Sequence, residues 1–513
     1  MPQNESCSKV CCRVVYSCHW KSKHACCWLS YVALVSLLCL CWMYICLVTY
    51  NDREDVNGES FQKLKLWVNW FMVLIIISAV MTSYCVLLLL FALFQVALRE
   101  PLNLHWLHKI LLFISVIFVA LGLTGISLKW QQEWPTVPLS LQATAPFLQF
   151  GAGIHAAKEK WSKLLIGALF VVLSAAIFLC PLIIQSPCLI ERAELPEKPK
   201  LIGHRGAPMM APENTIMSFN ESISCGVIAF ETDVQLSKDR IPFLMHDHNQ
   251  SGFLRRTTNV KDKFPNKDFN QSANLTWEEL QSLNAGEWFI KTDPFESVSK
   301  LSEEERETAR NQTIPSLRQL LDLAKQHNIS VIFDLYSPNQ ENDTVATVDT
   351  ILRSGIDPSL ILWLPQVGRE YVNKTAPGFI QFYKNENEMA NEEGNHLNLK
   401  YSEFSTNKIR ETRGKNITVN LWVVNERWLF SLLWCAGANS VTTNSCHLLK
   451  DMEKPNWVMA PLTYKVIWIT VDIVSIFIII GLYILQWSRE AESQYFGLER
   501  ERTVALLARQ VDP

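Results

Sequence analysis

Apolar and polar positions fall into two regimes along this chain. Five windows carry no Asp, Glu, Lys or Arg: 28–49, 68–98, 110–128, 137–157 and 164–186. A helix crossing a bilayer needs about 20 apolar residues, so each window predicts a span. A sixth apolar stretch, 463–487, carries Lys465 near one end and Asp472 inside. The fourth window contains Pro138, Gln142, Pro146, Gln149 and His155, so an interfacial or re-entrant segment competes with a span there. Six spans put both termini on the same side.

Between the fifth and sixth spans the pattern changes to short apolar runs alternating with helical patterns. Strands are predicted at 201–204, 228–234, 241–245, 330–335, 360–364, 378–382, 418–424 and 440–443. Helices are predicted at 276–283, 316–326 and 345–353, and the polar stretch 261–311 is predicted to be an insertion. About 250 residues of this kind suit a (β/α)8 barrel. The expected fold is therefore an α/β TIM barrel, as an ecto-domain inserted in a six-helix transmembrane protein. The expected organisation is a Cys-rich N-terminus (1–27), five spans with short loops (28–186), the barrel domain (187–461), a sixth span (462–487) and a tail (488–513).

Composition looks ordinary until it is divided. The chain is 49% hydrophobic and 19% charged, with net charge −3. Residues 200–460 hold 27 Lys+Arg and 33 Asp+Glu, leaving 20 and 17 for the rest, so net −6 is set against +3. No basic domain exists to neutralise phosphates, which argues against a nucleic-acid partner. The apolar content argues against general disorder.

Orientation follows from the positive-inside rule. With the N-terminus in the cytosol, the cytosolic segments hold Lys9, Arg13, Lys21, Lys23, Arg99, Lys109, Lys158, Lys160, Lys163, Arg489, Arg500, Arg502 and Arg509. The short outer loops hold only Arg53, Lys63, Lys65 and Lys129. A plasma-membrane protein with both termini cytosolic and the large domain outside is expected. Nine N-x-S/T sequons in that domain agree, beginning at Asn220, Asn249, Asn270, Asn274, Asn311, Asn328, Asn342, Asn373 and Asn416. Among them Asn249, Asn311, Asn342, Asn373 and Asn416 are the glycosylation candidates. Cys7, Cys11, Cys12, Cys18, Cys26 and Cys27 crowd before the first span and suggest S-palmitoylation, with a zinc cluster as rival. Cys188, Cys225, Cys435 and Cys446 accompany the large domain, where three disulfide connectivities are open.

The candidate chemistry gathers at predicted strand ends, where a barrel builds its site. His204-Arg205-Gly206 ends the first strand, Glu231-Thr232-Asp233 the second, His246-Asp247 the third and Asp334 the fourth. Residues two apart on a strand share a face, so Glu231 and Asp233 can reach one ion, with Asp334 as a third carboxylate. Three oxygen ligands suit a hard divalent cation, Mg2+ or Ca2+. One such cluster is common by chance; four in succession are not. Gly206 and Pro208 fit a tight turn that brings backbone near a ligand.

His204-Arg205-Gly206-Ala207-Pro208, Pro212-Glu213-Asn214-Thr215, Glu231-Thr232-Asp233-Val234, Lys238-Asp239 and His246-Asp247 together resemble the glycerophosphodiester phosphodiesterase signature. Arg256-Thr257-Thr258, Trp422-Val423-Val424-Asn425 and Ser440-Val441-Thr442-Thr443 resemble its later motifs, so the likeness covers about residues 200–450. The spans, residues 103–109 and residues 141–147 resemble the six-pass vertebrate subgroup. Tyr16-Ser17-Cys18-His19-Trp20 resembles the start of members acting on glycerophosphoinositol.

The resemblance implies a metal-dependent TIM barrel with His204 and His246 as general base and acid. It implies Arg205 on the phosphate, Trp422 on the substrate side, and Glu213, Glu231, Asp233 and Asp334 around the metal. It offers two substrates, glycerophosphoinositol or the glycosylphosphatidylinositol (GPI) anchor of surface proteins. Two departures stand out. The family usually has Glu-x-Lys at the fourth strand, where this chain has Asp334-Leu335-Tyr336, and an Asp is common where this chain has Asn444. A transporter is the rival class, disfavoured because the spans carry almost no ionisable residues. A catalytically inactive signalling barrel is a third, disfavoured by the intact histidines and carboxylates.

Overall fold

A computed structural model describes residues 25–64, 66, 68–97, 104–129, 186–247, 256–257, 260–266, 271–335 and 340–467, with Ile469, Thr470, Ile473 and Phe477. Helices α1 (Ala25–Val48), α2 (Arg53–Leu64), α3 (Trp70–Ala97) and α4 (Trp106–Lys129) form the N-terminal part. Among the described residues, three stretches are long and apolar enough to cross a membrane: Trp28–Asp52, Trp70–Ala92 and Trp106–Gly125. They correspond to the first three predicted spans. The expected spans at 137–157 and 164–186, most of the sixth, and the Cys-rich segment 1–24 lie outside the described residues.

The three apolar helices sort their residues by packing rather than polarity. On α1, Val32, Val35, Cys39, Trp42 and Cys46 recur at three- and four-residue spacing and are buried against Cys85 and Leu88 of α3 and Leu112 and Val119 of α4. Leu34, Leu37, Leu40 and Leu47 face outward. With no hydrophobic drive between helices in lipid, close packing and interhelical hydrogen bonds decide the face. The Trp42 indole donates to Ser78 Oγ (2.9 Å). Gly122 is the close-approach point, because a Cβ there would lie 2.4 Å from the Trp42 ring.

The second part is a parallel barrel. Its strands are β1 (Lys200–His204), β2 (Ala229–Leu236), β3 (Pro242–Leu244), β4 (Ser330–Leu335), β5 (Ile361–Trp363), β6 (Ile380–Gln381), β7 (His396–Lys400), β8 (Thr418–Trp422) and β9 (Ser440–Thr443). The hydrogen-bonded order is β6-β5-β4-β2-β1-β9-β8-β7, and a parallel bridge between Tyr383 and Leu397 joins the two ends. The eight parallel strands among the described residues thus make a nearly closed (β/α)8 barrel. Two expectations are corrected. The predicted third strand is β3, which pairs antiparallel with β2 and is not a barrel stave. The barrel's sixth strand in chain order is β7, which was not predicted.

Strand alternation divides the core. Leu201, Phe230, Val331, Phe333, Ile361, Trp363, Leu397, Val419, Leu421 and Val441 pack outward against the helices. Ile202, Ala229, Ile332, Leu362, Leu364 and Phe382 form a separate cluster inside the barrel. On the other half the interior is polar: Asn420 Nδ2 donates to Asn398 Oδ1 (2.7 Å) and Thr442 Oγ1 (2.8 Å), and Ser440 Oγ donates to Asn420 Oδ1 (2.8 Å). Each buried amide is satisfied within the layer, as burial requires.

The helix Leu317–His327 shows how the sequence sets an element. Ser316 caps it, its hydroxyl accepting from Gln319 N while Gln319 reaches back to Ser316 N, and Asn328 ends it in the left-handed region. Leu317, Leu320, Leu321 and Ala324 form its buried stripe at helical spacing. The described residues of the insertion 261–311 include short helices whose apolar side chains pack onto the barrel part, Leu280 and Leu283 with Phe243 and Met245, and Trp288 and Phe289 with Ala211 and Met217.

Of the three open connectivities, the structure selects Cys188–Cys435 and Cys225–Cys446, with sequence separations of 247 and 221. Loops of that length imply about 2–5 kcal/mol per bridge, chiefly through the unfolded chain. A small second unit comprises Leu189–Glu194 with the residues from Val458, joined by a parallel bridge from Leu189 to Met459.

Candidate active site

The inward parity that places Ile202, Ala229 and Ile332 inside the barrel brings His204, Glu231, Asp233 and Asp334 to its carboxyl end. His204 is in register with Glu231, and Asp233 with Asp334. The chain then turns sharply, with Arg205 (φ 53°) and Gly206 (φ 88°) both left-handed. Gly206 is required, since a Cβ there would lie 2.5 Å from Ser218 Oγ. Ser218 Oγ accepts from Ala207 N (2.8 Å) and donates to Arg205 O (3.0 Å), which locks the turn. The expected tight turn is thus present.

The turn aims Arg205 inward. Its guanidinium reaches Asp233 (3.1 Å) and Glu213 (3.2 Å). Asn214 Nδ2 donates to the same Asp233 carboxylate (3.1 Å), and Asn214 Oδ1 is fixed by Thr232 Oγ1 (2.7 Å). Burial is the largest influence on Asp233 and raises its pKa. Arg205, His246, His204 and the Asn214 hydrogen bond together outweigh it and hold the carboxyl below its usual value.

His204 lies between groups from the two strands that flank β1. Its Nδ1 donates to Asn444 Oδ1 (2.6 Å), and its Nε2 lies 3.8 Å from Glu231. Burial, then the Arg205 charge, lowers its pKa to about 3 despite Asn444 and the nearby carboxylates. The imidazole is therefore neutral at physiological pH, with the Nε2 lone pair toward the carboxylates. Glu231 is pushed well above its usual range, first by burial and then by Asp233 and Asp334, against the opposing pull of Arg205.

His246 comes from the β3 hairpin and not from a barrel strand. Its Nδ1 donates to Asp247 (2.9 Å), and its side chain is 36% exposed. Asp247 is held by Arg256 Nε (3.1 Å), and Arg256 also pairs with Glu213 and stacks over the Trp288 ring at 4.7 Å. A cleft lined by Glu213, Asn214, His246, Arg256 and Trp288 opens beside these groups. Asp334 is paired with Lys384 (2.7 Å), which follows β6. Trp422 ends β8, half-buried and in register with Lys400.

Sequence reasoning identified the histidines and carboxylates but not their supports. Asn214, Arg256 and Asn444 were visible as motif letters or departures without a role. Lys384 had no signal, because a single lysine 50 residues beyond Asp334 in the chain looks like solvated surface. Among the described residues, no three His, Cys, Asp or Glu side chains already stand in metal-binding geometry. The carboxylates turn instead to Arg205 and Lys384. Their charge still fits a cation: burial first, then the neighbouring Asp233 and Asp334 carboxylates, force Glu231 above its normal range although Arg205 opposes them. Of the glycosylation candidates, Asn311, Asn342, Asn373 and Asn416 are exposed, and Asn249 lies outside the described residues.

Comparison with known proteins places this geometry. The Glycerophosphoryl diester phosphodiesterase family profile matches residues 204–358. The chain is 40% identical over 539 aligned positions to the Homo sapiens glycerophosphoinositol inositolphosphodiesterase GDPD2, covering 99% of both chains. It is 37% identical to the Homo sapiens glycerophosphodiester phosphodiesterase domain-containing protein 5, covering 92% of this chain and 82% of that one. It is 34% identical to domain-containing protein 4 of the same series from Macaca fascicularis, covering 87% and 78%. A likeness that runs through the apolar helices as well as the barrel makes this chain a phosphodiesterase, a member of the glycerophosphoryl diester phosphodiesterase family.

Proposed function

We propose that the protein is a divalent-cation-dependent ecto-phosphodiesterase that hydrolyses glycerophosphoinositol to glycerol and inositol phosphate. The observation that carries this reading is the pair of differently supported histidines, His204 on Asn444 and His246 on Asp247, either side of the Arg205–Asp233 pair. The full-length likeness to a glycerophosphoinositol inositolphosphodiesterase supports the substrate.

Glu231, Asp233 and Asp334 would hold the cation, with Glu213 beside them, and a cation there would supply neutralisation of phosphate charge. The protein's own groups do the rest. Arg205 binds the anionic ester and offsets the charge that develops on it. Neutral His204 accepts the proton of an inositol hydroxyl next to the ester. That oxygen bonds to phosphorus as the bond to the glycerol oxygen breaks, and His246 protonates the departing glycerol alkoxide. Water then opens the cyclic ester, with the proton movements reversed, leaving inositol phosphate. Trp422 and Trp288 form apolar walls for the inositol ring.

The membrane arrangement belongs to the same reading: a plasma-membrane protein of six spans, both termini cytosolic, its exposed Asn residues glycosylated and its site outside. A second reading, cleavage of GPI anchors, gains support from the docking of the residues that end the first apolar stretch onto the carboxyl end of the barrel. A lipid-linked inositol phosphate would lie within reach there.

The test is hydrolysis of glycerophosphoinositol by intact cells expressing the protein, with His204→Ala as control. Glycerol and inositol phosphate should appear with the wild type alone. Equal activity in the mutant, or inositol with glycerol phosphate as products, overturns the reading. Release of GPI-anchored proteins without glycerophosphoinositol hydrolysis would favour the second.

A further inference from the structure

The segment that ends the first apolar helix is inserted into the barrel's catalytic end. Asn51 is 2% exposed. Its Nδ2 donates to Val423 O (3.0 Å), its Oδ1 accepts from Asn425 N (2.9 Å), and its carbonyl accepts from Asn425 Nδ2 (3.2 Å). Asn425 Oδ1 in turn accepts from Asn444 N (2.9 Å), and Asn444 Oδ1 accepts from His204 Nδ1 (2.6 Å). Three asparagines thus connect the end of a membrane-length helix to the imidazole, and Asn425 and Asn444 are 4% and 3% exposed.

We propose that Asn51 is a positioning residue for catalysis, holding Asn425 and Asn444 so that His204 presents Nε2 to the reacting hydroxyl. This rests on the proposed role of His204. The physical reason is that Asn425 uses both ends of its amide at once. One end is anchored by Asn51, so the other fixes the backbone that carries Asn444. Without Asn51, the loop after β8 loses the contacts that set its depth in the mouth. Neighbouring contacts fasten the same segment one step further from His204: Tyr401 donates to Asp52 (2.7 Å), whose other oxygen accepts from Asn51 Nδ2 (3.2 Å), and Arg53 approaches Glu426 (3.7 Å). The helical part then completes the site and does not merely anchor it.

The experiment uses the full chain in membranes, with glycerophosphoinositol as probe and rates normalised to the folded protein present. Asn51→Ala should lower kcat about tenfold to a hundredfold with KM little changed, as expected for misplacement of a reacting group. Asn51→Ser, which cannot reach both Val423 and Asn425, replaces it should the alanine protein fail to accumulate. Tyr401→Phe should keep wild-type kcat. Combining Asn51→Ala with Asn444→Ala should cost no more than Asn444→Ala alone, because both act on one chain of contacts. Unchanged kcat in the Asn51 variant, multiplying losses in the double variant, or an equal loss from Tyr401→Phe overturns the proposal. Activity surviving in His204→Ala would instead overturn the role of the histidine itself.

Discussion

Asn444 Oδ1 stands 2.6 Å from His204 Nδ1. A neutral amide orients the ring without the charge that would raise its proton affinity. Asn444→Ala should therefore lower kcat about tenfold or more by releasing the ring. Asn444→Asp should keep the orientation and raise the pKa of the imidazole. Steady-state rates across pH test this: wild-type kcat in the alanine variant, or an unmoved profile in the aspartate variant, would exclude the role.

Lys384 restores a charge that the fourth strand lacks. Its ammonium contacts Asp334 (2.7 Å) from the loop that follows β6. We expect Lys384→Met to raise KM for glycerophosphoinositol about threefold to tenfold with kcat little altered, the scale of one partly exposed charge–phosphate contact. Unchanged KM would show that the lysine only screens Asp334.

Arg256 fastens two functional carboxylates in the buried wall of the cleft. Removing it takes a shared counter-charge from buried Glu213 and Asp247, leaving Arg205 beside the first and His246 beside the second. Arg256→Ala should cost about 3–5 kcal/mol of stability, and Arg256→Lys should recover little, since an ammonium cannot reproduce the fork. Thermal unfolding of the purified full chain decides it; a lysine variant as stable as wild type would contradict the two-sided pairing.

Cation binding should be proton-linked through Glu231. Its folded pKa is raised, so the cation-free protein retains a proton that the unfolded chain releases near 4.5. That contribution to stability is present at low pH and is lost as pH rises through the folded value. A cation needs the ionised carboxylate, so its apparent affinity should tighten as pH rises above the ordinary carboxylate range, with proton release on binding. Titration calorimetry in two buffers of different ionisation enthalpy reads the released protons. No release would place the cation away from Glu231, and removal of cations with a chelator should abolish hydrolysis.

Much of the site was legible because its chemistry obeys a local rule. Side chains two apart on a strand share a face, so Glu231 and Asp233 were assigned together, and the apolar windows reported three membrane-length helices directly. The same rule misled at Ile241–Met245, whose alternation is that of any half-buried strand. A hairpin arm and a barrel stave read alike until partners are known. His396–Lys400 escaped because Asn398 faces a barrel interior filled by Asn420 and Thr442, so its inward positions are polar where an apolar alternation was sought.

The sequence by itself determined what is written in periodicity and composition: the long uncharged helices, the barrel-sized acidic domain, and the histidines and carboxylates at strand ends. Only the tertiary structure decided which groups support them. Arg256 bridges Glu213 and Asp247 across 43 and 9 residues, and Asn51 meets Val423 across 372. Which of the four cysteines that accompany the barrel pair was decided at the same level. Such contacts depend on loop closure and on the order of strands around the barrel, and neither leaves a periodic trace along the chain.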